Sequence, residues 1–352
     1  MSSETATAAD DLAAIRDELR TVARAVLAKA DARGLDRQAS ARHGWSGLEI
    51  PEDLGGAGVT FAETAVVLEE LGRAAAASEY LGTALGTAAL TAATGAHRDE
   101  LLAAVAAGDT SVTVALPGED AEFTAAYRLR RDGERWILTG RAEFVPDALT
   151  ADRVLLIAAD PAGTPVLVHL PGATLARTAV PVVDESRSFG TIVADDLNVT
   201  DDALLRFPGD PHAAARSVHD RAALAVACDS LGIAEAMLAA TVDYAKVREQ
   251  FGRPIGSFQA VKHACADMFV HTAVARRLVG AAIAGDGAAI AMAAAYTCAA
   301  AVEVAGAAMQ LHGGIGYTWE SGIHRYLKRA TLDRVLFGTP AAHRRRLAAR
   351  YR

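Results

Sequence analysis

The sequence contains few cysteines and few aromatic residues, and it has no long run of charge of one sign. The three cysteines are an odd number with no close pair, which excludes a disulfide framework and the ligand spacing of a zinc site. Each lies in an apolar stretch of helical character, so we predict three small core residues and no metal site. They are Cys228, Cys265 and Cys298.

The charge distribution argues against nucleic acid as a partner. The net charge is −8, whereas binding to a phosphate backbone needs a basic face that displaces counterions. The one basic stretch, His343–Arg346, is interpreted as the solvated last turn of a helix, where cations interact favourably with the helix dipole.

The sequence also lacks the pattern of a membrane span and that of a leader peptide. No apolar run of about 18 residues is free of charges and turn breakers. The segment Ala281–Val302 comes closest, but Gly285, Asp286 and Gly287 interrupt it. The polar N-terminus has no basic stretch followed by an apolar one. We therefore expect a cytoplasmic protein that does not bind a membrane.

Apolar residues, alanine above all, are abundant. They make up 51% of the 352 residues, which permits a large core, and alanine has the highest helix propensity. Near the N-terminus apolar residues recur at steps of three and four, which predicts one face of a helix. These are Leu12, Ile15, Leu19, Val22 and Val26. With the alanine-rich segments that follow, they predict an N-terminal helical domain over residues 1–109.

The pattern then changes to short β-type runs separated by turns that contain proline or glycine. Asp132-Gly133 is a favoured turn pair between alternating apolar residues and predicts a hairpin. We predict that residues 110–206 form a small antiparallel β-domain. Its other strand candidates are Val112–Leu116, Val154–Ile157, Val166–Leu170 and Ile192–Ala194.

The helical period returns at about residue 212 and continues to the end of the chain. Long helices with one apolar face and short connections are typical of antiparallel bundles. Residues 207–352 are therefore predicted to form a domain like a four-helix bundle. The fold class predicted for the whole chain is α+β, and mostly α.

The first segment that suggests chemistry follows a long predicted helix. Arg248 and Phe251 are three residues apart, so they share one face at the helix end, and Gly252 and Pro254 end the helix. An arginine beside an aromatic ring suits a pyrophosphate and a flat ring system. By spacing alone, a surface ion pair for Arg248 and a core position for Phe251 remain an open alternative.

The second segment is a glycine-rich turn after another helical run. Gln310 is followed by Gly313, Gly314 and Gly316, and glycines of this kind let a backbone approach a ligand closely. The segment does not follow a strand and precede a helix, so the dinucleotide fingerprint is rejected. By itself the turn is equally a helix stop.

With an early loop, these two segments make the chain similar to the acyl-CoA dehydrogenase family over nearly its whole length. The early loop resembles the family's Gly-Trp, Pro-Glu and Gly-Gly segment and is followed by the run Glu69–Arg73. The order helices, β-domain, helices agrees with the family's fold. The matching positions are Gly44, Trp45, Pro51, Glu52, Gly55 and Gly56, then Arg248, Phe251, Gly252, Pro254, Ile255 and Gln259, and then Gln310, Gly313, Gly314, Gly316 and Tyr317.

The resemblance implies an FAD held between protomers and an acyl-CoA thioester substrate. In the family a glutamate removes the α-proton while the β-hydride passes to the flavin. Residues of the two helical motifs match positions that bind the ADP part of a flavin whose ring lies in the neighbouring protomer, and Thr339 matches a position near the flavin of its own protomer. The first group is Arg248, Phe251, Gln259, Gln310, Gly313 and Gly314.

The sequence departs from the family where the catalytic base is expected. The family commonly has Glu-Gly-Thr late in the chain, and here Phe337 precedes Gly338-Thr339. Other members carry the base on the long helix, at a position that aligns with Ala222. The nearest acidic residue, Asp220, lies two residues before Ala222. It is therefore about 200° around the helix and off the face on which Ala222 lies. Glu320 is a weaker candidate, with an ion pair to Arg325 or Lys328 as its alternative role.

A second departure lies in the predicted β-domain. The family's Gly-Ser-Asp turn, which contacts the flavin ring, is replaced by the poorly matching stretch Pro117–Ala121. Trp136 is at a position where the family often has a tryptophan beside the ring, and a core position in the hairpin is the alternative.

The chain therefore lacks residues that perform chemistry at its own site, but it keeps the residues that hold the flavin of a neighbouring protomer. In this it resembles the non-catalytic subunit of actinobacterial heteromeric acyl-CoA dehydrogenases, which form α2β2 tetramers and act on steroid side chains. We predict such a subunit, paired with a second acyl-CoA dehydrogenase subunit that has the base. Two alternatives stay open: a self-sufficient enzyme with its base at Asp220 or Glu320, and an acyl-CoA-binding scaffold without redox chemistry.

Overall fold

The computed structural model describes residues 3–29, 34–117 and 121–351, with side chains from residue 13 onward in the first helix. The N-terminal part is helical, as predicted. Its helices are α1 (Ser3–Leu27), α2 (Arg37–Arg42), α3 (Phe61–Ala74), α4 (Tyr80–Thr91) and α5 (Arg98–Ala107).

The apolar face predicted for α1 is only partly correct. Leu19 and Val26 pack against the core, but Ile15 is 50% and Val22 42% exposed. Ala23 is fully buried instead. Helix α1 packs along α3, so only the residues on the stripe that faces α3 lose contact with water.

Among the residues that the structure describes, eight strands follow in one sheet. They are β1 (Val112–Ala115), β2 (Tyr127–Asp132), β3 (Arg135–Pro146), β4 (Arg153–Ala159), β5 (Pro165–Pro171), β6 (Ala176–Ala179), β7 (Phe189–Val199) and β8 (Leu204–Arg206). The order is β6-β7-β3-β2-β4-β5-β8, with β1 also paired to β4. The predicted hairpin is confirmed as β2–β3, but its two-residue loop is Gly133-Glu134, because Asp132 pairs with Arg135.

The sheet is mostly antiparallel, as predicted, but it is mixed, because two of its pairings are parallel. Strand β1 runs parallel to β4, and so does the start of β2. The physical reason is the connection: the β2–β3 hairpin lies between β1 and β4 in the chain, and a crossover of that length permits parallel pairing. Strand β1 is buried at all four residues, which is typical of parallel strands covered on both faces.

The C-terminal part is again helical. It contains α6 (Pro211–Val247), the two-residue strands β9 (Glu249–Gln250) and β10 (Arg253–Pro254), α7 (Gln259–Ile283), α8 (Gly287–His312), α9 (Ile323–Asp333) and α10 (Pro340–Ala349). Pro211 starts α6, and the Asp210 side chain caps it by accepting from two backbone N–H groups.

Helices α6 and α8 are long and apolar enough to cross a bilayer, yet most of the apolar window of each is buried, 78% in α6 and 56% in α8. They pack closely against each other. Their apolar residues therefore form the core of the helical bundle. Cys228 and Cys298 are buried there as predicted, whereas Cys265 is only half-buried.

Helices α3 and α6 cross at two glycines. A Cβ on Gly232 would lie 1.8 Å from the Glu69 carbonyl oxygen, and a Cβ on Gly72 would lie 2.0 Å from that of Asp229. Only glycine permits this approach of two backbones. The crossing joins the N-terminal helices to the bundle.

A buried cluster of ion pairs ties the sheet to the bundle. Arg329 of α9 donates to both carboxylate oxygens of Asp229 on α6, at 2.9 and 2.6 Å. Arg187, just before β7, pairs with Asp229 at 2.8 Å and also with Asp333. Burial alone would raise the pKa of Asp229, but the charges of Arg187 and Arg329 prevail and lower it to about 2.

Candidate functional site

An open groove lies where α6 and α8 end, with a volume of about 470 Å³. The two ends meet because α6 and α8 pack along their length. The groove brings together three of the residues predicted to hold a cofactor: Arg248, Gly313 and Gly314. Its lining residues are Tyr244, Arg248, Gln250, Ile255, Leu311, His312, Gly313, Gly314, Ile315 and Thr318.

One wall of the groove contains Arg248, which directly follows the last residue of α6 and is its C-cap. Its backbone N–H donates to the Tyr244 carbonyl at 2.9 Å, and its carbonyl accepts from Ile255 N–H at 2.7 Å. These bonds fix the backbone, while the side chain is exposed. Among the described residues no carboxylate pairs with Arg248, so its guanidinium is available to an anion.

Phe251 lies on the turn beyond Arg248 and is 92% exposed. Its φ of +54° is unusual for a residue other than glycine. The ring meets Phe258 edge-on, with centroids 6.1 Å apart. A core position for Phe251 is therefore wrong, and the exposed ring is free to contact a partner or a ligand.

The opposite wall is the glycine turn. Gly313 has a φ of +61°, and a Cβ on Gly313 or Gly314 would project into open space. A Cβ on Gly316 would instead lie 2.6 Å from the Met309 carbonyl oxygen. Gly316 thus permits the tight turn. Because Gly313 and Gly314 have no side chains, a ligand in the groove can approach their backbone.

Two other predicted residues lie near the groove without lining it. Gln310 is exposed in the last turn of α8. Gln259 is the first residue of α7, and the preceding Phe258 gives that helix no side-chain cap. The free N–H groups of such a helix start favour an anion. The positions of Gln259 and Gln310 are compatible with the predicted role, but the structure does not bring them into the groove itself.

Tyr244 and His312 line the groove but were not among the predicted site residues. Their rings stack across the groove floor with centroids 4.4 Å apart and planes inclined by 21°. The spacing of Tyr244 and Arg248, four residues apart on one helix, was a usable signal. His312 could not be found this way, because only the packing of α6 against α8 brings it to Tyr244.

The groove fits the ADP part of a flavin. It offers a guanidinium with no partner among the described residues, a wall of glycines without side chains, and an aromatic ring nearby. A guanidinium binds phosphate oxygens in a fork, and glycine lets phosphate oxygens approach backbone N–H groups.

Thr339 lies in a different region, at the start of α10. Its side chain caps that helix by accepting from Ala342 N–H at 3.2 Å. Phe337, two residues before Thr339, and the helix residue Ala222 are both fully buried. Water therefore reaches neither of the two positions where the resemblance places a base, and neither side chain can take up a proton.

Phe337 belongs to a cluster of aromatic rings. His219 meets Phe337 edge-on, with ring centroids 6.5 Å apart, and Phe123 lies beside His219, with ring centroids 6.3 Å apart. His343 is also buried here, and burial, with help from the nearby His219 and Arg346, lowers its pKa to about 4. The imidazole of His343 is therefore uncharged at neutral pH.

Asp220, the first alternative base, is held in an ion pair. Both of its carboxylate oxygens accept from the Arg346 guanidinium, one of them at 2.8 Å. Arg346 also donates to the Ala121 carbonyl at 3.2 Å. The interpretation of His343–Arg346 as a solvated helix end is therefore wrong: only Arg344 and Arg345 are exposed.

Glu320, the second alternative base, is exposed. The ion pair expected for it is absent from the described contacts, since Lys328 pairs with Glu185 at 3.4 Å and Arg325 donates to the Ala75 carbonyl.

The predicted contacts to a flavin ring concern Trp136 and the stretch Pro117–Ala121. Trp136 donates to Asp201 at 2.6 Å, and the Arg131 guanidinium lies 4.1 Å from the centre of the Trp136 ring, which agrees with the alternative of a hairpin position. Of the stretch Pro117–Ala121, residues 118–120 lie outside the described residues.

Comparison with known proteins agrees with the motifs. The sequence matches the profile of the family described as acyl-CoA dehydrogenase, N-terminal domain, over residues 9–109, and that of the C-terminal domain over residues 213–351. It is 36% identical to acyl-CoA dehydrogenase IpdE2 of Mycolicibacterium smegmatis, over 87% of this chain and 84% of that protein.

The fold is also that of solved structures. A chain of the Tcur3481-Tcur3483 steroid ACAD, in a variant form, superimposes with a TM-score of 0.84 at 29% identity, covering 96% of this chain and 98% of the other. A chain of the ChsE4-ChsE5 complex from Mycobacterium tuberculosis superimposes with a TM-score of 0.83 at 27% identity, covering 96% of each chain.

Proposed function

This chain belongs to the acyl-CoA dehydrogenase family, and we propose that it is the subunit without the catalytic base in a heteromeric, flavin-dependent enzyme of that family. The complex removes hydrogen from the α and β carbons of an acyl-CoA thioester. This chain contributes to the FAD site of its partner.

The full burial of Phe337 and Ala222 is the observation that carries the proposal. A catalytic base must reach the α-carbon of its substrate. Here the position is occupied by a phenyl ring that meets His219 edge-on, and Asp220, two residues before Ala222, is bound to Arg346. This interior supports the proposal that the chain has no base of its own.

The groove supports the second part of the proposal, a contribution to the FAD site. Arg248 would hold the pyrophosphate of FAD by charge-assisted hydrogen bonds, and the Gly313-Gly314 backbone would approach it closely. When bound, the flavin accepts the hydride from the β-carbon. The residues of this chain bind and orient the cofactor, while the partner subunit supplies the base and the contacts to the flavin ring.

The names of the relatives support the choice of partner and substrate. A steroid ACAD of two gene products and the ChsE4-ChsE5 complex both have this fold. We therefore propose a second acyl-CoA dehydrogenase subunit as partner, in an α2β2 assembly. The substrate class is a bulky acyl-CoA such as a steroid side-chain thioester, and the location is the cytoplasm.

The test is to purify the chain alone and then together with a candidate partner subunit. Bound FAD and the reduction of an electron acceptor by acyl-CoA are measured in both preparations. We expect no turnover from the chain alone, and turnover with bound FAD from the complex. Full turnover by the chain alone contradicts the proposal and favours a relocated base. The absence of FAD from both preparations favours a scaffold without redox chemistry.

A further inference from the structure

We propose that the stacked pair Tyr244–His312 is the positioning element that sets the distance between the two walls of the cofactor groove. This inference rests on the proposed function, because it concerns the same groove. Tyr244 belongs to α6 and His312 is the last residue of α8. The pair therefore joins the two helices at the point where the groove opens.

The His312 ring is fixed on its own helix. Its Nδ1 lies 2.8 Å from the Ala308 carbonyl oxygen. A carbonyl oxygen can only accept, so Nδ1 carries the hydrogen, and the ring orientation follows from that bond. The residue is only 7% exposed. Tyr244 thus stacks on a ring that is already held in place.

Tyr244 also contacts the backbone that enters the glycine turn. Its hydroxyl donates to the His312 carbonyl at 3.5 Å. That carbonyl belongs to the last turn of α8, where no helical partner is available. The bond is long and therefore weak. The ring stack, at 4.4 Å between centroids, is accordingly the main contact.

On its other side Tyr244 is linked to Arg248. The Tyr244 carbonyl accepts from Arg248 N–H at 2.9 Å, and the two side chains share one face of the helix end. Tyr244 is therefore bonded through its backbone to Arg248 on one wall, and its side chain contacts His312 at the start of the glycine turn on the other. Without the stack, the guanidinium and the glycine backbone can no longer be held at one separation that suits a pyrophosphate.

The same bundle contains a matched control pair. His271 of α7 and Tyr296 of α8 have ring centroids 6.3 Å apart, and the His271 Nδ1 lies 3.2 Å from the Tyr296 hydroxyl. Neither lines the groove. Tyr296→Leu removes a half-buried tyrosine beside a histidine, as Tyr244→Leu does, but it leaves the groove intact.

The experiment measures the dissociation constants of FAD and ADP by fluorescence titration, on the complex with the partner subunit after removal of FAD. We expect Tyr244→Leu to raise both constants about tenfold, the size of effect that loss of an aromatic pair produces. Tyr244→Phe keeps the stack and stays within about threefold of the unaltered complex. Tyr296→Leu lowers the melting temperature like Tyr244→Leu but leaves both dissociation constants unchanged.

The variant Arg248→Ala distinguishes failure of the positioning role from failure of the proposed function. If Arg248→Ala weakens FAD and ADP binding while Tyr244→Leu does not differ from Tyr296→Leu, the positioning role is wrong and the groove stands. If neither Arg248→Ala nor Tyr244→Leu changes the binding of FAD or ADP, the groove is not the cofactor site, and the proposed function fails together with this inference.

Discussion

The ring of Phe337 meets the ring of His219 edge-on, with their centroids 6.5 Å apart. Phe337 has a φ of +53° and no exposed surface. Phe337 is thus a core residue at the position where the sequence comparison predicted the absence of a catalytic glutamate. Removal of the Phe337 ring should therefore affect stability rather than chemistry.

Phe337→Ala should lower the free energy of unfolding by about 3–5 kcal/mol, because it leaves a cavity in a packed interior. Phe251→Ala is the matched control, since Phe251 has nearly the same φ, +54°, but is 92% exposed. Its effect should stay within about 0.5 kcal/mol. Urea unfolding followed by circular dichroism measures both. Equal losses for the two variants would contradict the packing described.

Gly314→Leu should block the groove without unfolding the chain. A side chain at Gly314 projects into open space, so the fold tolerates it while a pyrophosphate does not. We expect the FAD dissociation constant to rise at least about tenfold, with an unchanged melting temperature. Gly306→Leu, also at an open position on α8, is the control and should leave FAD binding intact. Weakened binding in both variants points to a cause outside the groove.

Asp220→Asn should leave the turnover of the complex nearly unchanged. Loss of a catalytic base lowers the rate on the order of a hundredfold or more, whereas Asp220 is only the ion-pair partner of Arg346. We expect a lower melting temperature and a kcat within about threefold of the unaltered complex. Glu320→Gln should change neither quantity. A fall of kcat on the order of a hundredfold or more in either variant identifies a relocated base.

Arg329→Ala should cost about 3–5 kcal/mol of unfolding free energy, because it leaves Asp229 buried with only part of its partners. Arg329 also donates to the Ala76 carbonyl at 2.7 Å. Arg325→Ala, on the exposed side of the same helix, removes a single bond to the Ala75 carbonyl and should cost less than about 1.5 kcal/mol. Chemical denaturation of both variants tests the difference.

Asp147 should make the stability depend on pH. It is buried, and burial together with the nearby Glu79 raises the pKa of its carboxyl to about 7, while Gly82 N–H donates to it at 3.1 Å. The folded state therefore binds the proton more tightly than the unfolded state. This contribution is fully present below the unfolded pKa of about 4 and is lost as the pH rises through 7.

Asp147→Asn removes the titrating group and keeps an acceptor for Gly82 N–H. Asparagine also tolerates the φ of +55° at this position. The variant should be more stable than the unaltered chain at pH 8, by at most about 4 kcal/mol, and the two should converge near pH 4. Urea unfolding across this range checks the sign. A difference that does not vary with pH would show that Asp147 stays ionised when buried.

The site was predictable where it depends on local sequence. Arg248, Gly313 and Gly314 belong to short motifs that can be recognised from residue type and spacing along the chain alone. All three line one groove. Tyr244 and His312 were missed, since 68 residues separate them and no periodicity links positions that far apart. The domain boundaries at residues 109 and 206 stay a prediction.

The sequence by itself determined the order of helices and strands, the hairpin, the family, and the presence of a phenylalanine before Gly338. These depend on residue type and on periods of two to four residues, which act within a helix or strand. Only the tertiary structure decided that the sheet is mixed, that Arg346 pairs with Asp220, and that Phe337 is buried against His219. Such contacts join segments far apart in the chain, and they form only when whole elements pack to exclude water.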